Sequence, residues 1–283
     1  PHASAAVNAK QILATYGIHI PIVTTLHGTD ITLLGKDKSF KPVIEYAINQ
    51  SDSVTAVSEN LKAETLENFN IKNEIKAIPN FIDMSLYNQE CNKSLRNKFA
   101  IKDEAILVHI SNFRRVKRVQ DVVKIFEKVN AQVPSKLLMI GDGPERLKAE
   151  QLCRKLGIDR QVKFLGKLKG IEKILSIADV FVLPSETESF GLVALEAMAS
   201  KVAVISTNSG GLPEVNIDDK TGFLSDVGDL NKMANDTIHL LKDTDKLNEF
   251  KNNALAHAKT FDLPNILPQY EAIYQDLSCK IKK

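Results

Sequence analysis

The sequence predicts an α/β protein built from two doubly wound domains, each with a parallel sheet. Three observations lead there. Short apolar runs without alternation, such as residues 106–110 and 180–183, read as strands covered on both faces. These runs alternate with helical segments, the order of parallel strands joined by crossover helices. The alternation occurs in two series, separated by the aperiodic stretch 81–92, which reads as a linker.

The first series opens with a helix over 5–13, with Ser4 placed to cap it. A buried strand at 21–26 ends in His27-Gly28. A helix at 42–49 and a strand at 53–57 follow. Ser58 then caps a helix running to residue 69, and a strand at 75–78 ends in Pro79-Asn80.

The second series begins with the strand at 106–110 and a helix over 119–133. A strand at 136–140 breaks at Gly141-Asp142-Gly143-Pro144, where Pro144 suits the first turn of the next helix. A strand at 162–165 ends at Gly166. A short helix at 172–177 leads to the strand 180–183. A last strand at 202–205 runs into Ser209-Gly210-Gly211, and two or three helices fill 230–281.

Composition excludes several classes. The chain has 283 residues, 43% hydrophobic and 25% charged, with a formal net charge of +2. That near-balance argues against a nucleic acid or membrane partner. Cys91, Cys153 and Cys279 make neither a CxxC nor a zinc spacing, which suits reduced thiols and a cytoplasmic protein. No apolar run reaches the length of a membrane span, and no signal peptide is visible.

Function is expected at the strand ends, because ligands of doubly wound sheets bind beyond the carboxyl ends of the strands. The polar motifs fall there: His27-Gly28, Asn80, 112–117, Gly141–Gly143, Gly166, 186–188 and Gly210-Gly211. Glu188 and Glu196 are separated by seven residues, one before a helix and one within it. A helix opening at Phe190 would present the amides of Phe190, Gly191 and Leu192 to an anion, with Gly191 allowing close approach. Glu196 either accepts hydrogen bonds from a ribose diol or is a solvated helix carboxylate. Lys117, with Arg114 and Arg115, follows the strand 106–110 and would hold a diphosphate and stabilise its departure, unless the cluster serves solubility alone. His27 is a lone histidine without metal-ligand spacing. The Gly210-Gly211 pair would leave room for a ligand. Asp243-Thr244-Asp245 reads as a turn and helix cap rather than a metal site.

Taken together, 188–196 with its Ser-Phe-Gly-Leu core, Gly141-Asp142-Gly143-Pro144, Phe164-Leu165-Gly166 and Gly210-Gly211-Leu212-Pro213-Glu214 resemble the retaining glycosyltransferases of family GT4. The resemblance implies a GT-B fold: two Rossmann-like doubly wound domains with an interdomain cleft. It divides the chain into a partial acceptor-side domain (1–90), a nucleotide-sugar domain (91–262) and a C-terminal helix (263–283) packing back on the first. Pro1-His2-Ala3, the stretch 24–32 around His27-Gly28-Thr29-Asp30, the stretch 79–83 and the stretch 109–114 resemble the branch serving bacillithiol biosynthesis. That branch implies UDP-N-acetylglucosamine as donor, L-malate as acceptor, and no metal or other cofactor.

By the same resemblance, Glu196 meets the ribose and Glu188 the transferred sugar. Ser189, Phe190, Gly191 and Leu192 line the donor, Lys117 meets the diphosphate, Leu165 and Gly166 lie near the uracil, and His27 sits against the sugar. His27, Lys117 and Glu188 are the expected catalytic residues. Five residues before Lys117, where the wider family carries Arg, stands Asn112, with Arg114 and Arg115 the nearest arginines. The family's first strand and Gly-rich loop have no counterpart before Pro1, so an N-terminally incomplete, poorly active chain is expected. A different acceptor (a lipid or glycan), a non-catalytic nucleotide-sugar module and an epimerase are the rival readings. Homo-oligomer formation is left open.

Overall fold

The computed structural model describes residues 2–32, 35, 37–87, 91–101 and 104–281. In chain order the elements are α1 (His2–Thr15), β1 (Val23–Leu26), α2 (Thr29–Thr32), α3 (Lys41–Asn49), β2 (Ser53–Ala56), α4 (Glu59–Asn68) and β3 (Ile75–Ala77). Then come α5 (Lys93–Arg96), β4 (Ala105–Ile110), α6 (Val119–Asn130), β5 (Ser135–Ile140), α7 (Arg146–Leu156), β6 (Val162–Gly166), α8 (Glu172–Leu175) and β7 (Val180–Leu183). The last are α9 (Leu192–Ala199), β8 (Ala203–Thr207), α10 (Leu212–Val215), β9 (Gly222–Ser225), α11 (Leu230–Lys242), α12 (Thr244–Ala258) and α13 (Leu263–Ile281). Two parallel sheets result, so the α/β class and the parallel pairing hold.

Residues 1–81 with 263–283 make one compact unit, and 82–262 make the other. In the first, β1, β2 and β3 pair in parallel in that order. Ser58 caps α4 by accepting the Leu61 amide at 3.0 Å, as expected. α1 begins at His2, so Ser4 lies inside the helix instead of capping it. β1 is half-buried over Val23–Thr25 and fully buried only at Leu26. α13 packs Ile266, Ile273 and Leu277 against Ile78, and the Tyr270 hydroxyl donates to the Ile78 carbonyl at 3.3 Å.

The second unit is a six-stranded sheet in the order β6-β5-β4-β7-β8-β9. The chain starts at β4, winds outward through β5 and β6, then returns to the other side of β4 with β7. The switch point of this topology lies between β4 and β7, and their following loops are neighbours at the carboxyl edge. Residues of β4, β5, β7 and β8 such as Leu107, Leu137, Val180 and Ile205 are fully buried. α6 covers one face through Val122, Val123, Phe126 and Val129 and packs on α11. Each such fully buried side chain contributes about 1.5–3 kcal/mol. At the opposite edge Asp179 accepts the Ile106 amide at 2.9 Å, Arg96 at 2.8 Å and Lys251 at 3.1 Å, tying α5 and α12 to the sheet.

Several sequence expectations are corrected. The aperiodic segment is not a plain linker: Met84–Tyr87 forms a 3₁₀ turn, and Asn92 caps α5 through the Leu95 amide; residues 88–90 lie outside the described residues. α6 stops at Asn130, three residues short of the expected end. Pro144 sits in the turn ahead of α7 because that helix begins only at Arg146. Asp243 caps α12 by accepting the Lys246 amide. Among the described residues no helix is long and apolar enough to cross a membrane.

Candidate functional site

The two loops flanking the switch point carry the chemistry. After β4 the chain makes a tight excursion through Ser111, Asn112, Phe113 and Arg114, then a 3₁₀ turn at Arg115–Lys117, and enters α6 through Arg118. Phe113 and Arg118 hold left-handed backbone at φ 43° and 49°. Such a conformation at a bulky residue costs about 1–3 kcal/mol and persists only when its surroundings impose it. The Phe113 side chain is fully buried, edge-on to Phe164, while Asn112 and Arg114 face solvent.

After β7 the loop holds Ser185, Glu186, Glu188 and Ser189. The Glu186 amide donates to the Val116 carbonyl at 2.8 Å and locks the two loops together. Across this junction Lys117 Nζ donates to Glu188 Oε1 at 2.6 Å, and the buried Ser185 hydroxyl donates to the same oxygen at 2.9 Å. Their side chains are only 20% and 11% exposed, so each charge compensates the other's loss of water. Sequence reasoning gave Lys117 and Glu188 separate tasks; the structure makes them one ion pair.

The helix that follows opens later than expected. Gly191, at φ 96°, is the N-cap of α9, and the first intrahelical bonds run from the Ala194 and Leu195 amides to the Gly191 carbonyl. The Leu192 and Val193 amides therefore precede the helical ladder, at the positive end of the helix. The Phe190 ring turns inward, 5.7 Å from Phe261, and the left-handed Gly191 after it starts the helix at Leu192.

The glycine pair after β8 is also corrected. A Cβ on Gly210 would lie 1.9 Å from the Glu188 carbonyl, and one on Gly211 would lie 2.5 Å from that of Ser189. The Gly211 amide donates to the Glu188 carbonyl at 2.9 Å. The pair thus makes room for the protein's own backbone and fixes the loop that carries Glu188. Gly141 and Gly143 do the same on the other side, where a Cβ would meet the carbonyls of Ser111 and Asn112 at 1.7 and 2.1 Å.

Glu196, in the second turn of α9, is half-buried and accepts the Tyr87 hydroxyl at 3.2 Å. Burial raises its pKa above the usual carboxylate value; the Tyr87 bond opposes this and the Glu172 charge reinforces it. Burial, then the Glu196 charge, push the Tyr87 hydroxyl upward, so it stays a donor. The solvated-helix reading of Glu196 is thereby set aside. Leu165 and Gly166 close β6, two strands from the switch point, with Gly166 at φ 68° and its carbonyl accepting the Gly141 amide at 2.8 Å.

The structure therefore gathers Asn112, Arg114, Lys117, Glu188, Ser189, Gly191, Leu192 and Glu196 along one edge of the second unit. His27 belongs to the first unit, where it is exposed beside a cavity of about 420 Å³ lined by Thr25, Leu26 and Asp30. Sequence reasoning missed Ser185 and Tyr87, which hold Glu188 and Glu196. Tyr87 lay in the aperiodic stretch and carried no signal. Among the described residues no group of three or more His, Cys, Asp or Glu is placed to hold a metal ion.

Comparison with known proteins gives the family and the fold. Residues 92–257 match the family model described as glycosyl transferases group 1, and residues 1–86 match glycosyltransferase family 4. The chain is 46% identical over 279 residues to the N-acetyl-alpha-D-glucosaminyl L-malate synthase of Bacillus anthracis, covering 98% of this chain and 72% of that protein. It is 40% identical over 141 residues to the D-inositol 3-phosphate glycosyltransferase of Corynebacterium urealyticum, covering 48% of this chain and 33% of that one. In fold it is similar to Anabaena HepE, solved in complex with UDP, with a TM-score of 0.85 at 24% identity, covering 97% of this chain and 76% of that one.

Proposed function

Because this chain belongs to glycosyltransferase family 4, with the GT-B fold, we infer that it transfers N-acetylglucosamine from UDP-N-acetylglucosamine to L-malate with retention, the first step of bacillithiol biosynthesis. Sequence identity of 46% across 98% of the chain supports the substrate pair. The structural observation that carries the chemistry is the Lys117–Glu188 pair at the switch point, beside the unladdered amides at the start of α9.

In this reading the bond from the anomeric carbon to the diphosphate oxygen breaks as the bond to the malate hydroxyl oxygen forms on the same face. The malate proton passes to the departing phosphate oxygen. Negative charge grows on the diphosphate, and Lys117, an arginine of the Arg114-Arg115 pair and the α9 amides stabilise it. Glu188, already held by Ser185, accepts hydrogen bonds from the sugar hydroxyls and keeps Lys117 aimed. Glu196 accepts the ribose diol, with Tyr87 holding one of its oxygens. Leu165 and Gly166 flank the base, and His27 meets the transferred sugar. Lys117 supplies fixed positive charge, so the reading needs no metal; the setting is cytoplasmic.

The test incubates the whole protein with UDP-N-acetylglucosamine, with and without L-malate and with and without EDTA. Malate-dependent UDP release, insensitive to EDTA, is the expected result. Release that ignores malate overturns the acceptor, and loss of activity in EDTA overturns the metal-free step.

A further inference from the structure

Beneath the Lys117 loop lies a buried hydrogen-bond chain that the transfer chemistry does not use. His109, in β4, is fully buried. Its Nδ1 lies 2.9 Å from the Val182 carbonyl in β7, and its Nε2 lies 2.8 Å from the Ser111 hydroxyl. A carbonyl oxygen only accepts, so Nδ1 carries the hydrogen. Burial, assisted by the Lys117 charge, keeps the ring neutral, with its pKa lowered to about 4. Nε2 is then a lone pair, and the Ser111 hydroxyl must donate to it. That leaves the Ser111 oxygen to accept from the Phe113 amide, at 3.3 Å. Every member has one assigned direction, from the Phe113 amide through Ser111 and His109 to Val182.

This chain begins at one of the four non-glycine residues with left-handed backbone among the described residues. Phe113 is left-handed without being glycine, and its ring stacks on that of His109 with centroids 6.2 Å apart. The same short loop carries Asn112, Arg114 and Lys117. We propose that His109 is a positioning residue of the donor site: through Ser111 it imposes the left-handed Phe113 turn and so sets the register in which Lys117 reaches Glu188. This rests on the reading of Lys117 as the diphosphate contact. The two strands it bridges, β4 and β7, are the pair that flank the switch point, so one ring ties the site's two loops to a common base.

The experiment compares Ser111→Ala, Ser111→Thr, His109→Asn and the double variant His109→Asn/Ser111→Ala in the whole protein. Asn keeps a donor for the Val182 carbonyl but has no second nitrogen for Ser111. Ser111→Ala and His109→Asn are each expected to raise the KM for UDP-N-acetylglucosamine and the Kd for UDP at least fivefold. Ser111→Thr, which keeps the hydroxyl, should return both to within twofold. The double variant should be no worse than the poorer single one. UDP affinity unchanged in Ser111→Ala, or equal losses in Ala and Thr, overturns the proposal. Amide exchange at Phe113 supplies a readout free of ligand: it should quicken at least tenfold in Ser111→Ala, and an unchanged rate overturns the proposal whatever the activity. If the wild-type protein releases no UDP while Phe113 protection follows the hydroxyl, the functional reading falls and the hydrogen-bond device stands.

Discussion

Lys117 and Glu188 stand 71 residues apart in sequence, yet the lysine ammonium donates to the glutamate across 2.6 Å, joining the loops after β4 and β7. The pair holds a positive and a negative group ready at one point of the site. Lys117→Ala and Glu188→Ala are each expected to cut turnover at least tenfold, equivalent to about 1.4 kcal/mol of transition-state stabilisation. Because the two act together, the double variant should lose less than the product of the single losses. Steady-state kinetics on the four proteins decide this, and a near-normal rate in either single variant removes that residue from the mechanism.

Tyr87→Phe removes only the hydroxyl that holds Glu196. In the proposed reading the bond serves the ribose end of the donor, which changes little as the glycosidic bond breaks. The expected effect is therefore a two- to fivefold rise in the KM for the UDP-sugar with kcat nearly unchanged. A kcat effect without a KM effect would place Tyr87 elsewhere in the cycle.

Gly210→Ala would drive a methyl to 1.9 Å from the Glu188 carbonyl at a left-handed position, φ 60°. Gly157, at the end of α7, is also left-handed at φ 70°, but its Cβ would meet nothing within 4 Å. Gly157→Ala should cost about 1 kcal/mol of stability and leave turnover intact. Gly210→Ala should cost more stability and at least tenfold in turnover. Thermal melts alongside assays distinguish the two, and equal behaviour would mean that the Glu188 loop does not depend on this contact.

His109 gives stability a defined pH dependence. Its pKa falls from the ordinary 6.5 to about 4 in the fold, chiefly through burial. Between those values the unfolded chain holds a proton that the folded chain refuses, so stability rises with pH across that window. The contribution is full above pH 6.5 and is lost as pH falls toward 4, on the order of 3 kcal/mol in all. His257 shifts in the same direction, and Glu196, raised by burial, acts in the opposite one. Denaturant midpoints at pH 7 and pH 5 should differ by more in the wild-type protein than in His109→Gln; equal slopes would refute this account.

The central strands were legible because parallel strands buried on both faces leave continuous apolar runs, as at Val180–Leu183, whereas β9, which opens on Gly222 and is only half-buried at Phe223 and Leu224, was not read. The helix expected to open at Phe190 begins two residues later, at Leu192. The backbone sign at Gly191 decides otherwise, and sequence does not state it. Lys117 and Glu188 were each legible as candidate residues, but not as partners. Their meeting depends on β7 returning beside β4, which is a fact of strand order. Tyr87 was hidden because a 3₁₀ turn has no periodicity to read.

The four glycines that press on the backbones of Ser111, Asn112, Glu188 and Ser189 have a consequence for how such a site varies. None of them supplies a functional group, yet none can be exchanged without displacing a loop that does. Mutational tolerance should therefore be lowest at positions that a chemical inventory of the site would omit. New acceptor preferences, whether selected or engineered, should accumulate outside these two clamped loops, where side chains can change size without moving a carbonyl.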